Sequence, residues 1–193
     1  APPFIPPPSL QLEQAAEAAR QKLPEKIAVV LQETRWLALI AVAAFLALAL
    51  AGYHGGDPGW SHAVAGRPVM NPAGRGGAWL ADLLLYVFGL SAWWFVVFLL
   101  ALVWWGYRRL DGLRTADRRP FLIAVAGFLV LLVASAALEA LRFHTLKAAL
   151  PLSPGGVLGI EAGAFAVRYM GYTGATLVMI TLFALGWSVF SGM

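Results

Sequence analysis

The chain has 193 residues, 60% of them hydrophobic and only 12% charged, more apolar side chain than one soluble core of that size can hide. It has no cysteine, which excludes disulfides, thiol nucleophiles and thiolate metal sites. The formal charge of +4 matters less for its size than for where the arginines and lysines lie.

The opening residues, APPFIPPPS, lack the basic start and apolar stretch of a signal peptide. The chain begins without Met and stops at Ser191-Gly192-Met193, directly after an apolar run, so a fragment of a longer protein is expected. Ser9 can cap a helix that ends before Pro24, and Pro24 suits the first turn of a second one. Within that second helix Ile27, Val30, Leu31 and Thr34 share a face. Residues 1–35 thus read as a cytoplasmic segment with an amphipathic helix. That helix either continues into a first span or lies on the inner leaflet or a partner.

Beyond residue 35 the apolar residues come in charge-poor blocks of roughly 18 or more, the length that crosses a hydrocarbon core. The expectation is an all-α integral membrane domain over 36–193 with four transmembrane helices. The first span covers about 36–52. Ala78–Tyr107 is interrupted only by Asp82, and thirty helical residues rise roughly 45 Å against a core of about 30 Å. Asp82 and Gly89 therefore suggest that Gly77–Phe88 is interfacial or re-entrant and that the second crossing is 89–107. The third and fourth spans are expected at about 120–138 and 167–190, with loops at about 53–76 and 139–163. Trp36, Trp93, Trp94, Trp104, Trp105 and Trp187 lie near span ends, as interfacial aromatics do. No internal repeat is evident, so an inverted-repeat transporter gains no support.

Basic residues set the direction. Arg20, Lys22, Lys26 and Arg35 precede the first span, and Arg108, Arg109, Arg114, Arg118 and Arg119 fill the short loop between the second and third. The opposite side has Arg67, Arg75, Arg142 and Lys147. The denser side should be cytoplasmic, which puts both termini inside and the loops 53–76 and 139–163 outside. Five arginines in a short inner loop are ordinary positive-inside residues before they are a lipid or nucleic-acid site, and no direct nucleic-acid binding is expected.

Candidate chemistry is sparse. His54, Asp57 and His62 share one outer loop, but their spacing fits no zinc pattern, and the turn at Pro58-Gly59 accounts for the aspartate. No metal site is expected. Asp82 and Arg168 stand at the edges of apolar segments, where an Asp82–Arg168 or Asp82–Arg75 pair could pin the re-entrant segment. Ser153-Pro154-Gly155-Gly156-Val157-Leu158-Gly159 is glycine-rich but has no Gly-Lys pair, so it reads as a tight outer turn and not a phosphate cradle. Ser91, Ser135 and Ser188 lie in spans without a histidine at membrane depth to act as base. Gly171, Gly174 and Ala175 form a small-residue face suited to close helix packing. No catalytic or cofactor-binding residues are expected in this chain.

The remaining signal is a particular string of residues. Leu31-Gln32-Glu33-Thr34-Arg35-Trp36-Leu37-Ala38-Leu39 leads into the first span, and Asp57-Pro58-Gly59-Trp60-Ser61-His62 and Asn71 through Asp82 follow it. Phe88-Gly89 and Gly155-Gly156-Val157-Leu158-Gly159 come later. From about Leu23 to Met193 these residues resemble the N-terminal membrane domain of the FtsK/SpoIIIE family of bacterial DNA translocases. The resemblance implies a four-span domain, then a variable linker and a cytoplasmic RecA-like motor that forms hexamers and pumps double-stranded DNA with ATP and Mg. It also implies that a winged-helix end reads oriented DNA and activates Xer recombinases. ATP hydrolysis and DNA pumping are then expected of residues beyond this chain.

What the resemblance implies for the membrane domain is homo-oligomerisation, up to a hexamer, and targeting to the division septum of the bacterial inner membrane. There it would contact other division proteins and couple division to chromosome segregation. The residues expected to shape the outer surface and the re-entrant segment are Asp57, Pro58, Gly59, Trp60, Asn71, Gly74, Arg75, Gly76, Gly77 and Asp82. The competing reading is a channel or transporter subunit, which would need polar residues along one face of a span.

Overall fold

The computed structural model describes residues 33–64, 68–108, 119–143 and 150–192. The expected amphipathic helix before residue 33 and most of the arginine loop at 109–118 lie outside the described residues. The chain divides into two units, Ala1–Leu39 and Ile40–Met193. The first is described over 33–39, the start of helix α1, and the second is treated below.

Among the described residues the structure is all-helical. Helix α1 (Glu33–Ala51), α2 (Gly74–Phe88), α3 (Trp93–Arg108), α4 (Arg119–Arg142) and α5 (Gly156–Ser191) follow in order. A 3-10 turn, Gly89–Ala92, joins α2 to α3. Four segments are long and apolar enough to cross a membrane: α1, the α2–α3 pair, α4 and α5.

Helix α4 is the most buried of the four spans. Pro120 sits in its first turn, where a missing N–H costs nothing, and no other proline follows before Pro151. Ala124, Phe128, Leu131, Leu132, Ala134, Ala136 and Ala137 are all buried. Lipid is as apolar as leucine, so close packing and not hydrophobic burial must hold such helices together. Small residues supply it. Ala134 and Ala137 pack on Ala166, Ala175 and Met179 of α5, and a Cβ at Gly186 would fall 2.6 Å from the Leu131 backbone nitrogen. The small-residue face of Ala175 is thus used within the chain. Nearer residue 128 the joint is aromatic: Phe98 lies 4.5 Å from Phe128 between ring centroids, with Phe95 and Phe190 around them. Helix α1 buries a narrow stripe, Ala43, Leu46, Ala49 and Leu50, and Leu46, Ala49 and Leu50 cluster with Ala81 and Leu85 of α2 and Val96 of α3.

Two of the long segments are broken. Helix α2 stops at Gly89, whose φ of 61° is a conformation that residues with a side chain rarely adopt, and α3 resumes after the 3-10 turn. The break falls where the sequence suggested the second crossing would begin. Helix α5 would rise about 54 Å if straight. It is interrupted at Gly171 (φ 67°, ψ 173°), and the second limb, 172–191, rises about 30 Å, one hydrocarbon core. The segment expected as a second outer loop, 139–163, is helical at both ends, because α4 runs on to Arg142 and α5 begins at Gly156.

Candidate functional site

The stretch between α1 and α2 is a hairpin tied down by two aspartates. Asp57 is 4% exposed, and its two oxygens accept the backbone N–H groups of Met70 and Asn71, each at 2.8 Å. Asn71, also buried, donates through Nδ2 to the Ala49 carbonyl at 2.9 Å. Its Oδ1 accepts the Ala73 N–H at 2.9 Å, just before α2. One short polar relay thus joins the end of α1, the hairpin and the start of α2. Each Asp57 oxygen thus holds one backbone donor of the returning arm of the loop. Among the described residues no cluster of three metal-ligating side chains occurs.

Asp82, in the middle of α2, is 1% exposed and holds Tyr53 and Ser61 of the hairpin. It accepts the Ser61 N–H at 2.6 Å, the Ser61 hydroxyl at 3.1 Å and the Tyr53 hydroxyl at 3.3 Å. His62 Nδ1 lies 3.9 Å from it and 3.0 Å from Ser61 Oγ. The one Ser61 hydroxyl proton goes to Asp82, so the hydrogen bond between Ser61 and His62 needs its proton on Nδ1. With Tyr53 and Ser61 both donating to one carboxylate, the cluster is a clasp. Burial, with the Asp82 charge and hydrogen bond behind it, pushes the Tyr53 hydroxyl from 10.0 up to about 12. The partners suggested for Asp82 from sequence are corrected here. Arg75 and Arg168 are both exposed, and among the described residues His62 is the basic group within 4 Å of the carboxylate. The clasp formed by Tyr53 and Ser61 satisfies the aspartate without an arginine.

Other residues of the string take distinct places. A Cβ on Gly59 would fall 2.5 Å from Asp82 Cγ, so only glycine lets the turn sit on the clasp. Gly77 is buried against Ala73 and Ala49. Pro58 is half-buried, while Trp60 is 51% exposed with its ring 5.5 Å from that of Tyr86. Gly74, Arg75 and Gly76 are exposed, with nothing within 4 Å of a Cβ at either glycine. The structure therefore gathers Asp57, Gly59, Asn71, Gly77 and Asp82 into the scaffold and leaves Trp60, Arg75 and Gly76 on its surface.

A second polar node lies between α3 and α4. Glu139 is buried and accepts the Ser91 N–H at 3.0 Å, the Ser91 hydroxyl at 2.7 Å and the Ser135 hydroxyl at 3.1 Å. Ser135 Oγ in turn accepts Trp94 Nε1 at 3.0 Å. The first N–H groups of a helix lack intrahelical partners, and this carboxylate satisfies one of them across the bundle. The neighbouring Leu90 N–H goes to the Pro154 carbonyl at 2.6 Å. Gly89 and Gly156, both left-handed, meet back to back there, with a Cβ on Gly89 colliding with the Pro154 carbonyl. Sequence reasoning placed Glu139 at the start of a loop and Trp94 at the interface. Both face into the bundle. The Ser135–Glu139 spacing, one helical turn inside an apolar run, was the available signal.

A model of the four-transmembrane region of DNA translocase FtsK/SpoIIIE matches residues 29–193. The chain belongs to the FtsK/SpoIIIE family. It is 43% identical over 173 residues to DNA translocase FtsK 2 of Ralstonia nicotianae, covering 87% of this chain and 22% of that protein. It is 35% identical over 164 residues to DNA translocase FtsK of Pseudomonas syringae pv. syringae, covering 84% and 20%. With DNA translocase FtsK 1 of Neisseria meningitidis serogroup B it shares 30% over 168 residues, covering 86% and 21%. The chain thus spans about a fifth of the length of these relatives, and the match falls on the four-transmembrane region of the FtsK/SpoIIIE family. No solved structure matches it.

Proposed function

We propose that this domain is the membrane anchor, oligomerisation element and division-site recruiter of an FtsK-like DNA translocase, with both termini in the cytoplasm. The supporting observation is the doubly clasped hairpin. Asp57 and Asp82 fix its backbone while Trp60 and Met70 remain 51% and 68% exposed. A rigid loop that shows large apolar side chains is the form a docking surface takes, because little ordering entropy is lost on binding. The basic segments flanking spans one to three support a periplasmic position for that hairpin, open to other division proteins. DNA pumping, ATP hydrolysis and Mg binding belong to the motor of the full-length protein in this reading, and the anchor fixes each motor subunit to the bilayer. The channel reading gains little from the spans: Ser91 of the 3-10 turn and Ser135 and Glu139 of α4 bond one another.

The test is a fluorescent fusion of this chain in dividing bacterial cells. The expected result is a band at midcell, reduced to an even membrane outline by Trp60→Ala with Met70→Ala. An even outline from the unsubstituted chain would overturn the recruitment reading.

A further inference from the structure

A cleft of about 550 Å³ opens beside Glu139, between α3, α4 and the second limb of α5. Leu138, Phe143, Ile180 and Phe183 give it apolar walls, and Arg142 stands on its rim. The polar groups lining it are already bonded. Glu139 is held by Ser91 and Ser135, Trp94 Nε1 donates to Ser135, and the Thr176 hydroxyl donates to the Tyr172 carbonyl. What remains for an occupant is hydrocarbon. Ile180 is 51% exposed and Phe143 48%, so the cleft opens sideways, onto the face that helices of this length and hydropathy turn to lipid.

Arg142 has the opposite chemistry. Helix α4 begins at Arg119 and ends at Arg142, and its 24 residues rise about 36 Å, which sets the two arginines beyond either edge of a core of about 30 Å. The rim of the cleft is therefore at headgroup level. The guanidinium is held 4.7 Å over the Tyr172 ring, and Tyr172 donates its hydroxyl to the Leu141 carbonyl at 2.6 Å, which fixes the ring. Among the described residues no carboxylate forms an ion pair with Arg142. Glu139, one turn earlier, has both oxygens turned onto Ser91 and Ser135.

A fixed cation at phosphate level above an apolar slot at chain level matches one molecule. We propose that the cleft binds a single anionic phospholipid, its phosphate on Arg142 and one acyl chain along Leu138, Ile180 and Phe183. A zwitterionic lipid brings its own ammonium to its phosphate and gains less from the arginine.

The test uses the chain in phosphatidylcholine vesicles that carry a minor share of either dibrominated phosphatidylglycerol or dibrominated phosphatidylcholine. Bromine quenches tryptophan at contact, and Trp94 lines the cleft. Subtracting the emission of Trp94→Phe isolates that ring. The expected result is quenching of Trp94 by brominated phosphatidylglycerol at a concentration about fivefold lower than by brominated phosphatidylcholine, the factor that one arginine at a lipid surface represents. Arg142→Gln abolishes the preference and Arg142→Lys keeps most of it, both with unchanged helix content. Equal quenching by the two lipids would overturn the proposal, as would a preference that survives Arg142→Gln. So would spontaneous disulfide dimers of Ile180→Cys, which would put a second copy of the chain in the cleft.

Discussion

Asp82 gathers the Tyr53, Ser61 and His62 side chains of the hairpin onto one carboxylate, and the first expected outcome follows from the tyrosine. Its folded value is raised above the unfolded one, so the neutral hydroxyl stabilises the fold fully below pH 10, and that contribution is lost as pH rises towards about 12. Titration of phenolate absorbance, compared with Tyr53→Phe, should show Tyr53 ionising near 12. In Asp82→Asn that step should move only partway back, since burial, the larger cause, remains. Glu139 gives a second test. Glu139→Ala would leave the buried Ser91 donors unsatisfied, a loss of about 1–3 kcal/mol in detergent unfolding. A double-mutant cycle with Ser91→Ala should show coupling between the two. The aspartates were legible because charge in or beside an apolar run stands out. Their partners were not, since no spacing rule ties Asp82 to Ser61, 21 residues earlier, or to Tyr53, 29 residues earlier. Glu139 was lost to a boundary: four residues of helix separated a loop carboxylate from a buried one.

For elements the informative residues are glycines at breaks. Gly89→Ala must adopt φ 61° and also displace the Pro154 carbonyl, so it should lower the unfolding midpoint substantially. Gly76→Ala, exposed with nothing within 4 Å, should change stability by no more than about 0.5 kcal/mol. Comparing the two in one detergent separates packing need from mere membership of a glycine-rich string. The break at Gly89 was readable because a charge and a glycine interrupt a run too long for one crossing. The break at Gly171 was not, because glycine at that position equally suits a small-residue packing face. The contact itself decides: Ala175 is buried against α4, while Gly171 is exposed with its backbone out of the helical region.

In the whole molecule, composition alone announced a membrane domain of helices, and the family followed from a few residues around the hairpin. How the helices interlock was hidden, because it depends on backbone approaches at Gly155, Gly159 and Gly186 that no hydropathy pattern encodes. An anchor with both termini in the cytoplasm requires the clasped hairpin and the arginine loop to lie on opposite sides of the membrane. The absence of native cysteine makes this directly measurable. Single cysteines at Gly56, exposed with no neighbour within 4 Å, and at Leu113 would be treated with a membrane-impermeant maleimide on intact spheroplasts. The expected result is that Gly56→Cys is labelled and that Leu113→Cys is labelled only after lysis. Labelling of Leu113→Cys in intact spheroplasts, with Gly56→Cys protected, would contradict it.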